Sequence, residues 1–586
     1  MTMAVQAVQP ESAMRALVAT ACLMLMVSQV ASPPPSGSAS AVNASTKQLM
    51  VDVSLFDEIA GRVAVVINRL TKVGDQPLIL PDQPWEKSFD MYNAVIQGPD
   101  RVVRVYYGTG YQQTETGSRV AVATSADGVT FSKPGLGHLR VNSSDTNMLA
   151  GYVGDCVWED PQAQLGGRYV SQGSTGHALR FSVSNDGLSD WRTVTNWSAC
   201  NHPNSTCGSY TRSIKDSRCI PADGTLFWSC PGADSQSVFF YDHRLQEYTL
   251  FTRSWVGVHG LGTAYRAIRR LSTKKLETDC LSPDGPNRVD PAGRPQLCLG
   301  NDTIVMAPDE LDNTSHPTDP HSAPAKDYYG ATVWQYPGVA DGSVYFMFPE
   351  RAWHFVGVGN TGPMPMPAEI DVGLAVSRDG LNFSHIPGRA PLLPLGRDGM
   401  FDSRMAWVLP QPVIRDDKIF VYYAGSSHNH NGIPDPATPA YLSRGGISVA
   451  FARLDGFTSL DTAVSSSGSA TATVTTKVLT FDAGGCINPR PTKLCAAHLQ
   501  LNLDTGTNGE VKVALLDGAT GQPLPGLSLA DAIPFVGTNS VRAVANWTIG
   551  ADVSGLRGKQ LRVQIEMQGT KLYSLQFVPA AVWLSC

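Results

Sequence analysis

The sequence predicts an all-β protein, a five-bladed β-propeller followed by a small antiparallel β-sandwich. Three observations predict it: a recurring strand–turn phrase, near-duplicate strands in different repeats, and many Gly and Pro residues without sustained helical periodicity. The phrase reads Ser125-Ala-Asp-Gly128 before Phe131, Ser184-Asn-Asp-Gly187 before Trp191, and Ser377-Arg-Asp-Gly380 before Phe383. A degenerate copy is Arg453-Leu-Asp-Gly456 with Phe457, and a weaker echo lies around Ala267 to Leu276. Each clear copy follows an alternating strand. Asp-Gly then makes the turn, because Gly accepts positive φ and Asp bonds its own backbone. Val102-Val-Arg-Val-Tyr-Tyr-Gly108 and Ile419-Phe-Val-Tyr-Tyr-Ala-Gly425 read as equivalent strands of different blades.

Taken in order, residues 1–31 read as a signal peptide: Arg15, an apolar stretch from Ala16 to Val30, and small residues Ala31-Ser32. The stretch is shorter than the ~20 apolar residues of a membrane span, so secretion is expected, with a retained signal-anchor as the alternative. Residues 32–54 read as a loose lead-in, 55–464 as the propeller, 465–476 as a Ser/Thr-rich linker and 477–586 as the sandwich. The segments Asn196 to Cys230 and Asp279 to Asp319 read as inserted loops able to shape a cleft.

Of 11 cysteines, Cys22 falls in the signal, and Cys200/Cys207, Cys219/Cys230, Cys280/Cys298 and Cys486/Cys495 are near enough in sequence for local disulfides. Sequence alone leaves the connectivity open. No pair has zinc-site spacing, no loop motif supports a calcium ion, and no cofactor is expected. Eight Asn-x-Ser/Thr sequons fit a secreted glycoprotein. A formal net charge of −6 offers no basic footprint for nucleic acid. The expected partner is a carbohydrate substrate, without stable membrane insertion; the oligomeric state is left open.

An acidic residue sits just ahead of the next strand in every proposed blade: Asp90, Asp160, Asp234, Asp327 and Asp402, at steps of 70, 74, 93 and 75 residues. Gathered at one mouth of a propeller, such carboxylates suit glycoside hydrolysis, which needs one protonated acid and one ionised partner. The alternative for any single member is backbone capping, the role expected of Asp127, Asp186 and Asp379. Glu350, in Phe-Pro-Glu-Arg-Ala-Trp-His354, is a separate candidate acid, or else a paired surface glutamate. Asp90, Asp160, Asp234 and Glu350 are the candidate catalytic groups. Asp327, Asp402, Arg404, Trp158, Trp353 and His428 are the candidate substrate contacts, though tryptophans in such strands also build blade cores.

Leu55-Phe-Asp-Glu58, Pro81-Asp-Gln-Pro-Trp-Glu86, the Ser-x-Asp-Gly phrases, Asp327-Tyr-Tyr-Gly330, Phe401-Asp-Ser403 and Leu572-Tyr-Ser-Leu-Gln-Phe577 resemble a secreted group of glycosyl hydrolases. That group is similar to the five-bladed propeller superfamily of invertases, levansucrases and arabinanases (glycoside hydrolase families 32, 43 and 68). The resemblance runs from about Leu55 to Phe577 and implies a propeller with a β-sandwich, and glycosyl transfer or hydrolysis by three acids. Val157-Trp-Glu-Asp-Pro161 resembles the invertase Arg-Asp-Pro element, with Glu159 in place of the Arg; it implies a transition-state-stabilising role for Asp160. The invertase Trp-Met-Asn-Asp-Pro-Asn-Gly signature and a Glu-Cys acid motif are absent.

Two other functions compete: a non-catalytic carbohydrate-binding propeller, and a sialidase recruiting Arg212, Arg218, Arg351 and Arg404. The Asp-Gly phrases lack the extra residue of a sialidase Asp-box.

Overall fold

Strands buried on both faces need neighbours on both faces, and a ring of sheets supplies them. The computed structural model describes residues 41–87, 89, 93–110, 120–151, 153–154, 156–174, 178–198, 236–257, 264–274, 300–312, 322–339, 344–355, 368–430, 432–462, 464–465, 468–469, 471–482 and 496–579. The signal segment, the four cysteine pairs and Cys586 lie outside these residues. Cys156 is described: it is buried, with its Sγ 3.8 Å from the Phe239 carbonyl oxygen. Among the described residues there is no α-helix, and no helix long and apolar enough to cross a membrane.

Five antiparallel blades follow in chain order. The first contains Asn93–Gln97, Val103–Gly108 and Val120–Ser125, with Ser132 bridged to Thr124. The second contains Cys156–Glu159, Tyr169–Ser174, Ala178–Ser184 and Arg192–Ser198. The third contains Val238–Asp242, Glu247–Gly257, Ala264–Thr273 and Gly300–Met306. In the fourth, Ser322–Gln335 pairs with Tyr345–Phe355, which pairs with both Ala368–Val372 and Ala375–Ser377; Ser384–His385 forms the rim. The fifth runs from Met405–Val408 through Lys418–Ser426 to Gly446–Arg453, and its outer strand is Thr71–Lys72 from the other end of the chain.

The cores between blades close the ring. Ala94 and Val122 pack with Val157 and Trp191 between the first and second blades. Phe181 with Phe239 joins the second and third, and Phe251 with Val333 the third and fourth. Phe346 with Val421 joins the fourth and fifth, and Val449 and Trp407 with Val95 and Val105 bring the fifth back to the first. These are five-bladed propeller contacts.

The Ser-x-Asp-Gly turns form as expected. Gly128, Gly187 and Gly380 have φ of 85, 76 and 75°. Each serine Oγ accepts the glycine N–H at 2.8–3.0 Å. Each aspartate accepts the next two amides at 2.7–2.9 Å. Partial burial opposes ionisation of Asp186 and Asp379, but these hydrogen bonds prevail and bring both carboxyls down to about 2. The fourth copy differs. There Asp455 itself takes φ 62°.

Two sheets form the sandwich, and they reach further than 477–586. Val42–Asn43, Gln48–Leu49, Phe56–Ala60 and Val63–Ile67 all pair with its strands, as do Thr458–Thr462 and Thr471–Thr476. The lead-in expected over 32–54 and the linker expected over 465–476 thus contain sheet strands. Two-residue strands carry no readable period, and the alternation in Thr471–Thr476 is hidden in a Ser/Thr-rich composition. The long strands alternate as expected: Leu561–Gln568 buries every second residue.

Asp455 joins propeller to sandwich. Its side chain is buried and accepts hydrogen bonds from Tyr336 of the fourth blade, from Ser574 at 2.7 Å and Asn502 at 3.3 Å in the sandwich, and from Lys47 at 2.9 Å. Asp455→Ala leaves several buried donors unanswered and is expected to cost ~3 kcal/mol in chemical denaturation. Lys47→Ala, whose side chain is 24% exposed, is expected to cost under about 1 kcal/mol.

Candidate active site

The innermost strands all run the same way along the ring, so their starts meet at one mouth and their ends at the other. Trp158 and Glu159, Phe240 and Tyr241, and Gln335 and Gln411 line one cavity of about 800 Å³ at the ends. Asp160 directly follows Glu159 and therefore sits at this end mouth. Asp402 precedes the inner strand Met405–Val408, and Asp327 lies within Ser322–Gln335, ahead of its register slip and well away from its end. From Asp327 to Gln335 the strand covers roughly 25 Å at ~3.3 Å per residue. Asp160 therefore does not share a mouth with Asp327 and Asp402, and the expected single ring of five aspartates does not form.

Asp160 is a turn cap. Its carboxylate accepts the amides of Gln162 and Gln164 at 2.9 Å and the Tyr248 hydroxyl at 2.9 Å. Asp242 repeats the device in the third blade, accepting from Arg244 and Leu245 amides and from Tyr345 at 2.6 Å. The resemblance of Glu159-Asp160-Pro161 to a catalytic element therefore meets a structural staple between blades. Asp402 is also committed: Lys72 of the ring-closing strand lies 2.6 Å from Oδ2, and Gly396 and Gly425 pack against the carboxyl and its stem. Asp327 is fully buried and takes the Arg266 amide at 3.0 Å and its guanidinium at 3.3 Å. Trp158 is core, packed against Phe239 and Tyr248. Asp90 and Asp234, like Arg212 and Arg218, lie outside the described residues.

Glu350 is placed differently. It lies in the second strand of the fourth blade, opposite Val372. Beside it the inner strand slips register between Tyr328 and Ala331, so Tyr329 and Gly330 bulge out of the ladder. Gly330 makes the space: a Cβ there would lie 2.7 Å from Glu350 Oε2 and 3.6 Å from Gln236 Cβ. The carboxyl is fully buried, and among the described residues neither oxygen has a hydrogen-bond partner. Burial pushes its pKa up to about 8, with the nearby Arg253 charge pulling the other way. Burial thus favours the protonated form of Glu350.

Its surroundings are polar and cross-braced. Gln236 donates to Thr332 Oγ1 at 2.9 Å and to the Val408 carbonyl at 3.1 Å, tying three blades together near the axis. The Tyr329 ring holds Arg253 at 5.5 Å and Arg266 at 5.1 Å, and His430 meets it edge-on at 4.8 Å. These residues were not singled out from the sequence. His428, the expected substrate contact, instead donates its amide to Ser426 in a local turn, and it is His430, two residues on, that reaches Tyr329. Gly330 interrupting an aromatic strand was the available signal for a bulge.

Trp353 and Arg404 do not join Glu350. They line a separate cavity of about 1440 Å³ with Arg351, whose guanidinium is held bidentately by Asp371 at 2.6 Å. Successive side chains of a strand point to opposite faces, so Arg351 and Trp353 leave the strand on the other side from Glu350. Arg351 and Arg404 are paired with acids and do not form a sialidase-type arginine cluster.

No protein-family model and no curated protein matches the chain. Among solved structures it is similar to an N-acetylgalactosamine deacetylase from F. plautii, at 13% identity over 70% of this chain and 94% of that chain, with a TM-score of 0.32. It is also similar to an α-L-arabinofuranosidase from Fusarium graminearum, at 10% identity over 66% and 98% of the two chains, with a TM-score of 0.30. A third is a Penicillium chrysogenum α-L-arabinanase, at 11% identity over 66% and 99%, with a TM-score of 0.29.

Two expectations separate structural from chemical acids. Asp160→Asn is expected to lower unfolding stability by ~1–3 kcal/mol, since Tyr248 and two amides lose a charged acceptor. Glu350→Gln does the opposite. A carboxyl raised from 4.5 to about 8 favours the fold fully below pH 4.5 and loses that contribution as pH climbs to 8. The variant should match the parent in thermal melts near pH 4 and exceed it by on the order of 3 kcal/mol at pH 7.

Proposed function

We propose that the protein is a glycosidase in which Glu350 is the general acid at the start mouth of the propeller. The observation that carries this is a fully buried carboxyl, free of hydrogen-bond partners among the described residues and held protonated to about pH 8. Cleaving a glycosidic bond needs an acid that still has its proton at working pH and can pass it to the leaving oxygen. Once the proton has left, the new carboxylate faces Arg253, whose charge stabilises it. Arg266 and His430 pack on Tyr329, the aromatic partner of that arginine. The resemblance noted in the sequence points to the same chemistry.

The ionised partner is sought among acids that precede inner strands. Asp234 stands two positions ahead of Gln236, and Asp155 immediately ahead of Cys156, where the second blade's inner strand starts. With Asp90, these three replace Asp160 in the reading. Export through residues 1–31 belongs to the same proposal.

The test is a screen of plant, algal and microbial polysaccharides read by released reducing ends, followed by variants on the best substrate. Glu350→Gln is expected to lower kcat by 10²–10⁴-fold. In the parent, kcat is expected to fall above about pH 8 as the acid ionises. Asp160→Asn is expected to retain kcat. Full turnover by Glu350→Gln would remove the general-acid role, and binding without turnover on every glycan would leave a carbohydrate-binding propeller.

A further inference from the structure

The larger cavity has a floor that a purely structural blade does not need. Three adjacent strands of the fourth blade each place two residues on one face, in register: Lys326 opposite Trp353 opposite Glu369, and Tyr328 opposite Arg351 opposite Asp371. Further along, the same face is ordinary core, with Val333, Tyr345 and Met347 packed against the third blade. Where the face turns polar, its charges stay buried: Lys326 and Arg351 are each 4% exposed and Asp371 is 7% exposed. Burying such groups costs several kcal/mol unless they are paired or used.

Pairing accounts for Arg351 and Asp371. It accounts less well for Lys326. Its ammonium has three donors, yet among the described residues it meets one carboxylate oxygen, Asp312 Oδ1 at 3.3 Å, and otherwise sits 4.8 Å over the Trp353 ring. Beside it, Tyr328 gives its hydroxyl proton to Asp312 at 2.7 Å and contacts His385 Nε2 at 2.8 Å. A hydroxyl has one proton, so Nε2 is the donor to Tyr328 and His385 Nδ1 is left as an acceptor. The cavity places six cationic side chains, Arg69, Lys326, Arg351, Arg389, Arg397 and Arg404, beside His385 and the carboxylates of Glu369, Asp371 and Asp398. Its volume of about 1440 Å³ exceeds the ~300–1,000 Å³ of a small-ligand pocket.

We propose that this cavity binds an acidic oligosaccharide, with a uronate carboxylate on Lys326 and sugar hydroxyls donating to His385 Nδ1 and to Glu369 and Asp371. Lys326 shares Asp312 with Arg389, and a neutral glycan would leave the excess of lining cations over lining carboxylates uncompensated, whereas a uronate supplies the missing charge. The site lies on the opposite strand face from Glu350 and stands independently of the glycosidase reading.

The full chain is titrated calorimetrically with tetramers of galacturonate, glucuronate and mannuronate, each beside its methyl ester. At least one acid is expected to bind, with affinity falling 10-fold or more on esterification and on Lys326→Gln. Arg404→Gln, at a rim side chain 24% exposed, is expected to weaken binding several-fold and serves if Lys326→Gln does not fold. Glu350→Gln is expected to bind as the parent does, which separates this site from the catalytic proposal. No binding by any acid, equal binding of the esters, or unchanged binding in both Lys326→Gln and Arg404→Gln would overturn it.

Discussion

Closure of the ring is the constraint on which the rest depends. Each blade exposes two apolar faces, and only a closed circle covers both for all five. Closure falls to Thr71–Lys72, which pairs with Ala450 and Phe451 as the outer strand of the last blade. Lys72 adds an ion pair to Asp402 at 2.6 Å and lies over the Tyr423 ring at 5.6 Å. The residues just before this strand are sandwich strands. One short stretch of chain therefore fastens the propeller to itself and to its companion domain, and Asp455 completes the junction from the other side.

With the ring closed, carboxylates do two different jobs. Asp160 and Asp242 cap turns and catch a tyrosine from the next blade; Asp127, Asp186 and Asp379 cap the outer turns. All are satisfied acceptors. Glu350 has no such partner among the described residues, and burial beside Gly330 raises its pKa and favours the neutral form. A structural acid gains stability from ionisation, whereas this one loses it.

Much of the fold was legible in residues close together in sequence. Asp-Gly turns, paired tyrosines in Val103–Gly108 and Lys418–Ser426, and period-two strands after Ala497 need only local chemistry. The site was less legible. The roughly periodic spacing of the aspartates does not reveal that Asp160 follows an inner strand, Asp327 lies within one and Asp402 precedes one. Glu350 was visible as a candidate, but Gln236, Arg253, Arg266, Tyr329 and His430 were not.

The amino-acid order by itself determined the strand periods, the turns and hence the repeat count, since these follow from φ preferences and side-chain alternation over a few residues. Which acid is tied to partners and which is buried without one among the described residues was decided only in three dimensions. Asp160 meets Tyr248, Asp327 meets Arg266, Asp402 meets Lys72, and Glu350 lies over Gly330 beside Gln236. Carboxyl protonation depends on desolvation and on charges within a few ångströms, and closing the ring selects those neighbours from distant parts of the chain.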